Sequence, residues 1–429
     1  MGNPRTRRTF LKRTANAVGA VIAAPVIARA GVIGVAGEPG ANDRITIGFI
    51  GAGGRGRTLM TQTPKPGEIV AICDVDLSRC HLAVQEKAPL SSAWEVVQDY
   101  RRILDRNDID AVIVPTTDHA RVLACIHACQ AGKDVYAEKP LTLTIAEGRV
   151  LVNAVRKYER VFQTGTQQRS MEFNRYACEL VRGGRIGRVH TVLGCNYPGP
   201  GVCENLPEEP IPRSIDWDPW CAQTRIKPYN LHLQQRWMDC RDYSGGPMTN
   251  WGAHGLDQVQ WALGMDGTGP VEIWPASDGP NGKVHMRYAN GVLVKLEIPY
   301  GGPLMGGAIF LGEEGKIEVR RNDFIATPRE IASDAPEPQK REIWEGRGFQ
   351  AKFHIGNWLD CIRSRKLPVA DVEIGHRSIT VCHLANIARD LGRKLDWDPD
   401  NEVFRGDPEA NGYLDRPRRK GYELPDVAL

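Results

Sequence analysis

The chain contains no C-x-x-C pair, no internal repeat and, beyond its first 30 residues, no uninterrupted apolar run near the ~18 residues that suggest a membrane helix. The first absence argues against a structural zinc site, and no set of His, Cys and carboxylate residues shows convincing metal-ligand spacing. The second sets aside repeat architectures, and the third makes the mature chain read as soluble. Charge of one sign is scarce as well. The formal charge is +3, yet residues 1–30 hold six Lys/Arg and no acid, which leaves 49 basic against 52 acidic residues, a balance of −3. Neither nucleic acid nor an anionic membrane surface is then expected as a partner. With 429 residues there is room for two or three domains and an ample core.

What is present begins with Thr6-Arg7-Arg8-Thr9-Phe10-Leu11-Lys12, an apolar stretch over 15–28, and Ala28-Arg29-Ala30. The apolar stretch is shorter than the about 20 residues a bilayer demands. A basic start, a short apolar middle and a small-residue cleavage site make a secretory signal, and the paired arginines choose the twin-arginine route. That route moves folded proteins, so the expectation is an exported, periplasmic protein with the twin-arginine machinery as a partner. The signal is assigned to 1–30 and a Gly-, Ala- and Pro-rich linker to 31–42. The cysteine count of 11 is odd and the residues are scattered, with Cys73, Cys125 and Cys129 where apolar residues would serve. Buried free thiols are expected, formed in the reducing cytoplasm before export.

From Arg44 short apolar runs alternate with longer amphipathic ones. Strands are predicted at 45–50, 68–73, 111–114, 135–137 and 161–164, with helices at 55–62, 77–87, 119–131 and 145–157. This alternation implies right-handed crossovers and a doubly wound parallel sheet over 43–166. After about residue 170 the texture changes. A helix at 172–181 precedes strands at 189–196, 282–287, 292–298, 308–311 and 316–319, and helices at 353–363 and 374–391 follow. Residues 167–429 therefore read as an α+β domain with an open, mostly antiparallel sheet and helices on one face.

The one G-x-G-x-x-G is Gly51, Gly53 and Gly56, directly after the 45–50 strand and opening a helix. Gly51 permits the tight turn, Gly53 lets backbone approach a pyrophosphate, and Gly56 lets helix and strand pack closely. The helix start at Gly54 and Arg55 then offers its amides to the phosphates. Asp74 closes the next strand, where an acid accepts ribose hydroxyls and repels a 2′-phosphate, so NAD is expected over NADP. Thr116, Thr117 and His119 follow the 111–114 strand and line the same crevice, while Asp118 reads first as a helix N-cap. Lys139, in Glu138-Lys139-Pro140, ends another central strand. Ligands bind at that edge, which sets a functional lysine against an ordinary loop lysine.

These motifs resemble the family of glucose-fructose oxidoreductase, inositol dehydrogenase and MocA-like proteins. The similarity runs on through Gly165-Thr166-Gln167-Gln168-Arg169-Ser170 and through Gly245 to His254 with Asp257. The resemblance implies an oxidoreductase of CH–OH groups in which Lys139 lies beside the nicotinamide and binds the reacting hydroxyl. It places Glu138 and Gln167 at the cofactor, and it implies a cis bond before Pro140. Subunits of such relatives pair through the open sheet, so a dimer or tetramer is implied.

His254 and Asp257 are three residues apart and share a face on a helix. A metal there would need a further ligand, and a structural histidine capped by Asp257 is a second reading. The resemblance favours catalysis. Imidazole, with a pKa of about 6.5, suits removal of a carbinol proton, and the Lys139 ammonium would stabilise the developing alkoxide. Asn250 stands where many relatives have Asp. It can hydrogen-bond a hydroxyl but takes no proton, which leaves His254 as the base and Tyr243 in reserve. Trp217, Trp220, Trp237, Trp251 and Trp261 cluster as core or as flat platforms for sugar rings. Trp237 and Trp251, with Arg236, Asn250 and His232, make a carbohydrate or polyol substrate the expectation, and the resemblance places Asp257 at the substrate as well. Three functions stay open: hydride exchange at a sugar, polyol or glycoside hydroxyl; glycoside hydrolysis through transient oxidation and elimination; and sugar binding without catalysis.

Overall fold

Six short apolar segments pair side by side in the N-terminal half: β1 (Ile45–Ile50), β2 (Gly67–Cys73), β3 (Glu95–Val97), β4 (Ala111–Val114), β5 (Asp134–Ala137) and β6 (Phe162–Thr164). All pairings are parallel and the order is β3-β2-β1-β4-β5-β6. Strands this apolar suit a sheet covered on both faces: β4 and β5 are buried throughout, and β1 at all but Thr46. The order reverses between β1 and β4, which opens a crevice at their carboxyl ends. The computed structural model describes residues 43–336 and 350–427. The expected signal and linker lie outside them.

One face of this sheet carries the helices Asp118–Gln130 and Ile145–Lys157, and its core runs on into the second half through residues such as Val192, Leu256 and Ile379. The other face packs against the helix Gly54–Gln62 and the helix Leu77–Lys87. It also packs against Lys352–Ser364, whose Ile355, Trp358 and Leu359 share a cluster with Ile47, Phe49, Ile113 and Tyr136. A late helix therefore returns to the first sheet. The described residues from Ile45 onward form one compact unit.

The second sheet contains β7 (Val189–Asn196), β8 (Pro270–Pro275), β9 (Val284–Tyr288), β10 (Leu293–Pro299), β11 (Ala308–Gly312), β12 (Lys316–Arg320), β13 (Asp323–Thr327), β14 (Leu395–Asp398) and β15 (Val403–Phe404). Its order is β13-β12-β11-β7-β10-β9-β8-β14-β15, antiparallel except where β10 runs beside β7. Val192, Val294, Leu296, Phe310 and Ile317 turn inward beneath the helices Glu172–Arg182, Gly252–Ala262 and Val372–Leu391, while Leu193, Lys295, Ile309 and Leu311 on alternate positions stay partly exposed. Nine cysteines are buried free thiols, as expected, but Cys203 and Cys240 form a disulfide. Sequence scatter hid that pair, because the long connection after β7 folds back on itself only in three dimensions.

Candidate active site

The chain leaves β1 through Gly51, whose φ of +120° strains any residue with a side chain. A Cβ there would lie 3.2 Å from backbone atoms of Pro115 and Thr116 after β4, so the turn fills the crevice at the strand-order reversal. Gly56 is tighter, since its Cβ would meet the Gly51 carbonyl oxygen at 2.3 Å. Gly54 faces open space. The helix Gly54–Gln62 has no side-chain cap and no acid in its first turn, so the positive end of its dipole is left to an anion. Asp74 accepts from the Ala52 amide at 2.8 Å and from the Asp76 amide at 2.9 Å. Each carboxylate oxygen keeps a lone pair that a ribose hydroxyl can use. The Thr116 hydroxyl is buried without a hydrogen-bond partner among the described residues. A cradle that a Cβ would fill, an uncapped helix start, an acid and an orphaned hydroxyl together fit a dinucleotide.

The reacting end is built at the end of β5. The Lys139–Pro140 bond is cis, as the resemblance implied. Glu138 accepts from Arg55 Nε at 2.7 Å and from the Lys139 amide at 3.1 Å, linking the glycine-rich helix to this strand end. Gly165 is small for the same reason: a Cβ there would come within 3.0 Å of the Glu138 carboxyl carbon. Lys139 Nζ donates to the Asn250 carbonyl at 3.1 Å and to Asn250 Oδ1. Burial pushes the Lys139 ammonium down to about 8; Arg55 and Arg321 add to this and Glu138 opposes it.

His254 lies four residues on, in the helix Gly252–Ala262, and is 3 % exposed. Its Nδ1 has no hydrogen-bond partner among the described residues. Burial first, then Lys139, Arg321 and Arg55, hold its pKa well below the ordinary imidazole range. The ring is consequently neutral at physiological pH and can accept a proton. Trp251 sits beside it with ring centroids 5.9 Å apart, and the Arg321 guanidinium lies 5.8 Å from the Trp251 ring centre. With its amide turned to donate to the Gly165 carbonyl at 2.6 Å, Gln167 accepts from Arg321 Nη2 at 2.9 Å. The structure thus gathers Lys139, Asn250, His254, Trp251, Glu138, Arg55 and Gln167. Arg321 joins them although no spacing in the sequence announces it; Arg320-Arg321-Asn322-Asp323 looks like a charged turn between strands.

Other expected residues go elsewhere. Asp257 is fully buried, 2.9 Å from Arg169 Nε through both oxygens and accepting from Ser378 Oγ at 2.8 Å. It ties its helix to the Gln167–Ser170 turn and to Val372–Leu391, so it is a structural ion pair rather than a substrate contact. His119 is buried, bonded to the Trp220 carbonyl at 2.8 Å and packed on Tyr243 at 4.7 Å between ring centres, which removes it from the cofactor set. Tyr243 is fully buried in that aromatic cluster and burial raises its pKa, so it is no reserve acid or base. Arg236 is exposed and paired with Asp239 at 2.6 Å, and His232 is exposed too. Trp237 borders the cluster of Trp217, Trp220 and Tyr229, and Trp217 and Trp220 are core. Asp118 is not the cap; Thr117 holds that position, and Asp118 accepts from Ser244 at 2.9 Å beside Arg121.

Residues 45–166 match an oxidoreductase family described as an NAD-binding Rossmann fold, and residues 196–424 match its C-terminal alpha/beta domain. Over 172 residues the chain is 27% identical to an inositol 2-dehydrogenase of Salmonella paratyphi B, covering 40% of this chain and 48% of that protein. It is 28% identical over 172 residues to a glycosyl hydrolase family 109 protein of a Shewanella species, covering 36% and 38%. The chain thus spans about half, or less, of the length of these curated relatives. In fold it is similar to the WlbA dehydrogenase of Chromobacterium violaceum, solved with NADH and UDP-GlcNAcA, with a TM-score of 0.60, 19% identity and coverage of 83% of this chain and 97% of that one. With family matches over both halves, the chain belongs to the Gfo/Idh/MocA oxidoreductase family and carries its NAD-binding Rossmann domain.

Proposed function

We propose that this protein is an NAD-dependent oxidoreductase acting on a hydroxyl of a sugar, polyol or glycoside. The observation that carries this reading is the convergence of Lys139, Asn250 and His254 at the end of β5, beside the crevice built by Gly51, Gly56 and Asp74. The bound nicotinamide supplies the hydride acceptor. Lys139, still largely ammonium at neutral pH, hydrogen-bonds the reacting hydroxyl oxygen and stabilises its developing negative charge. His254, held neutral, takes the hydroxyl proton. Asn250 aims the ammonium without adding a charge, and Trp251 offers an apolar face to a sugar ring.

The likeness to inositol 2-dehydrogenase supports this reading. A second reading is supported by the likeness to a glycosyl hydrolase: transient oxidation acidifies the neighbouring C–H, the leaving group is eliminated with that proton, water adds across the resulting double bond, and the return of hydride to the carbonyl leaves hydrolysis with no net redox change. Residues 1–30 support export by the twin-arginine route to the periplasm, and the Cys203–Cys240 disulfide is consistent with an oxidising compartment. The partly exposed face of the second sheet supports pairing of subunits into a dimer or tetramer. Purified protein is incubated with neutral and acidic sugars, polyols and glycosides. Appearance of reduced nicotinamide, or of an aglycone without added NAD, supports the first or second reading respectively; neither product from any of them overturns both.

A further inference from the structure

Arg321 occupies a position that hydride transfer from a neutral sugar does not require. It lies in the turn between β12 and β13, and that turn is fixed from outside the sheet. Asn174, fully buried, donates to the Arg320 carbonyl at 2.8 Å and accepts from the Asn322 amide at 2.8 Å, clamping the backbone on both sides of Arg321. The guanidinium is thereby delivered to the reacting end, over Trp251 and against Gln167. There it acts on both groups assigned to the chemistry, lowering the proton affinity of Lys139 and of His254. Lys139, Arg321 and Arg55 all act on His254 as positive charges, and the Glu138 carboxylate, paired with Arg55 at 2.7 Å, offsets only one of them. An oxidised nicotinamide adds one more positive charge. Concentrating cations around a step that must create positive charge on an imidazole is unfavourable for a neutral substrate. It becomes favourable when the substrate brings a negative charge of its own.

The planar fork of a guanidinium matches a carboxylate in two parallel hydrogen bonds, whereas a phosphate dianion usually also recruits backbone amides. The second arrangement is found here at the glycine-rich helix start. Trp251 beneath the guanidinium gives a ring carrying that carboxylate a flat surface to lie on.

We infer that the substrate is a sugar acid, whose carboxylate is received by Arg321 while its reacting hydroxyl lies between Lys139 and His254. This rests on the reading of the cleft as a hydride-transfer site for sugars. Calorimetric titration of the full-length, nucleotide-bound protein with glucuronate, galacturonate and their methyl glycosides, against the matching neutral sugars, tests it without relying on turnover. At least one acid should bind ten-fold or more tighter than its neutral counterpart. Arg321→Gln should abolish that preference and Arg321→Lys should keep part of it, with the melting temperature reporting that both variants fold. Equal binding, preference for the neutral sugar, binding of no acid, or a preference that survives Arg321→Gln would each overturn the inference. Reduction of bound nicotinamide by neutral sugars alone would sink this inference and leave the hydride-transfer reading standing; reduction by neither class would sink that reading too.

Discussion

Burial lowers the Lys139 pKa to about 8, with Arg55 and Arg321 adding to the fall and Glu138 opposing it, while Asn250 accepts from the ammonium without supplying a charge. The protonated form is the one that stabilises an alkoxide. The rate should therefore fall as pH rises through about 8, and a kcat/KM profile between pH 6 and 10 measures it; a rate that climbs through this window would mean that neutral lysine is the active form. Lys139→Met should reduce turnover by roughly 10²–10³-fold, as loss of an oxyanion donor does, while nucleotide content stays unchanged. Asp257 carries a different prediction. Its carboxylate shares an Arg169 side chain that is 2 % exposed with Asp266, 2.7 Å away, so Asp257→Asn should destabilise the fold by about 1–3 kcal/mol, the usual result of weakening a buried hydrogen-bonded group while a second carboxylate still matches the charge. A denaturant melt of that variant checks it. These residues also show what a sequence conceals. Gly51, Gly56 and Lys139 announce themselves because their neighbours in the chain supply the context. Asp257 is recognised as structural only once Arg169, 88 residues away, is known to face it. Arg321 has no local signature, since the Asn174 clamp that aims it is distant in the chain.

Two glycines of one helix start separate fold from ligand. A Cβ on Gly56 would overlap the Gly51 carbonyl, backbone against backbone, where no side chain can rotate away; a Cβ on Gly54 meets nothing. Gly56→Ala should lower the melting temperature of nucleotide-free protein markedly, and Gly54→Ala should leave it within a degree or two of wild type. Equal melting temperatures would show that the turn is not packed as described. Elements with a clear period were legible: the parallel strands around β1 and the long late helices fall close to where apolar spacing puts them. The missed strands have physical reasons. β3 has three residues and β14 is a four-residue Leu-Asp-Trp-Asp, each too short for a period to emerge, while β8 is bracketed by Pro270 and Pro275, which read as breakers. The helix Lys352–Ser364 was visible as a helix, but its partner was not, because amphipathicity shows that a face is buried without naming the surface it buries against.

Across the whole molecule, burial holds His119 and His354 down to about 4 and His383 down to about 3. In an unfolded chain they would titrate near 6.5, so between these values the unfolded state binds more protons than the native one. The stability they contribute is complete above about pH 6.5 and is lost as pH falls towards 4, at about 1.4 kcal/mol per unit of separation per group. Asp118, raised to about 6 by its own burial, and Asp74, Glu147 and Asp257, raised by burial as well, work in the opposite direction, while His254, also held low by burial, adds to the histidines. The urea midpoint should accordingly be lower at pH 5 than at pH 7.5, and an unchanged midpoint would contradict the buried neutral histidines. The central claim is that an ammonium and a neutral imidazole flank one carbinol carbon beside a bound nicotinamide. Sugar acids, neutral sugars and polyols deuterated at their carbinol carbons are therefore offered to the purified protein, and the nucleotide released afterwards is weighed by mass spectrometry. The expected result is deuterium in the nicotinamide from wild-type protein and almost none from Lys139→Met protein carrying the same amount of nucleotide. Unlabelled nucleotide from wild type with every compound, or equal labelling in the Lys139→Met variant, would contradict the account.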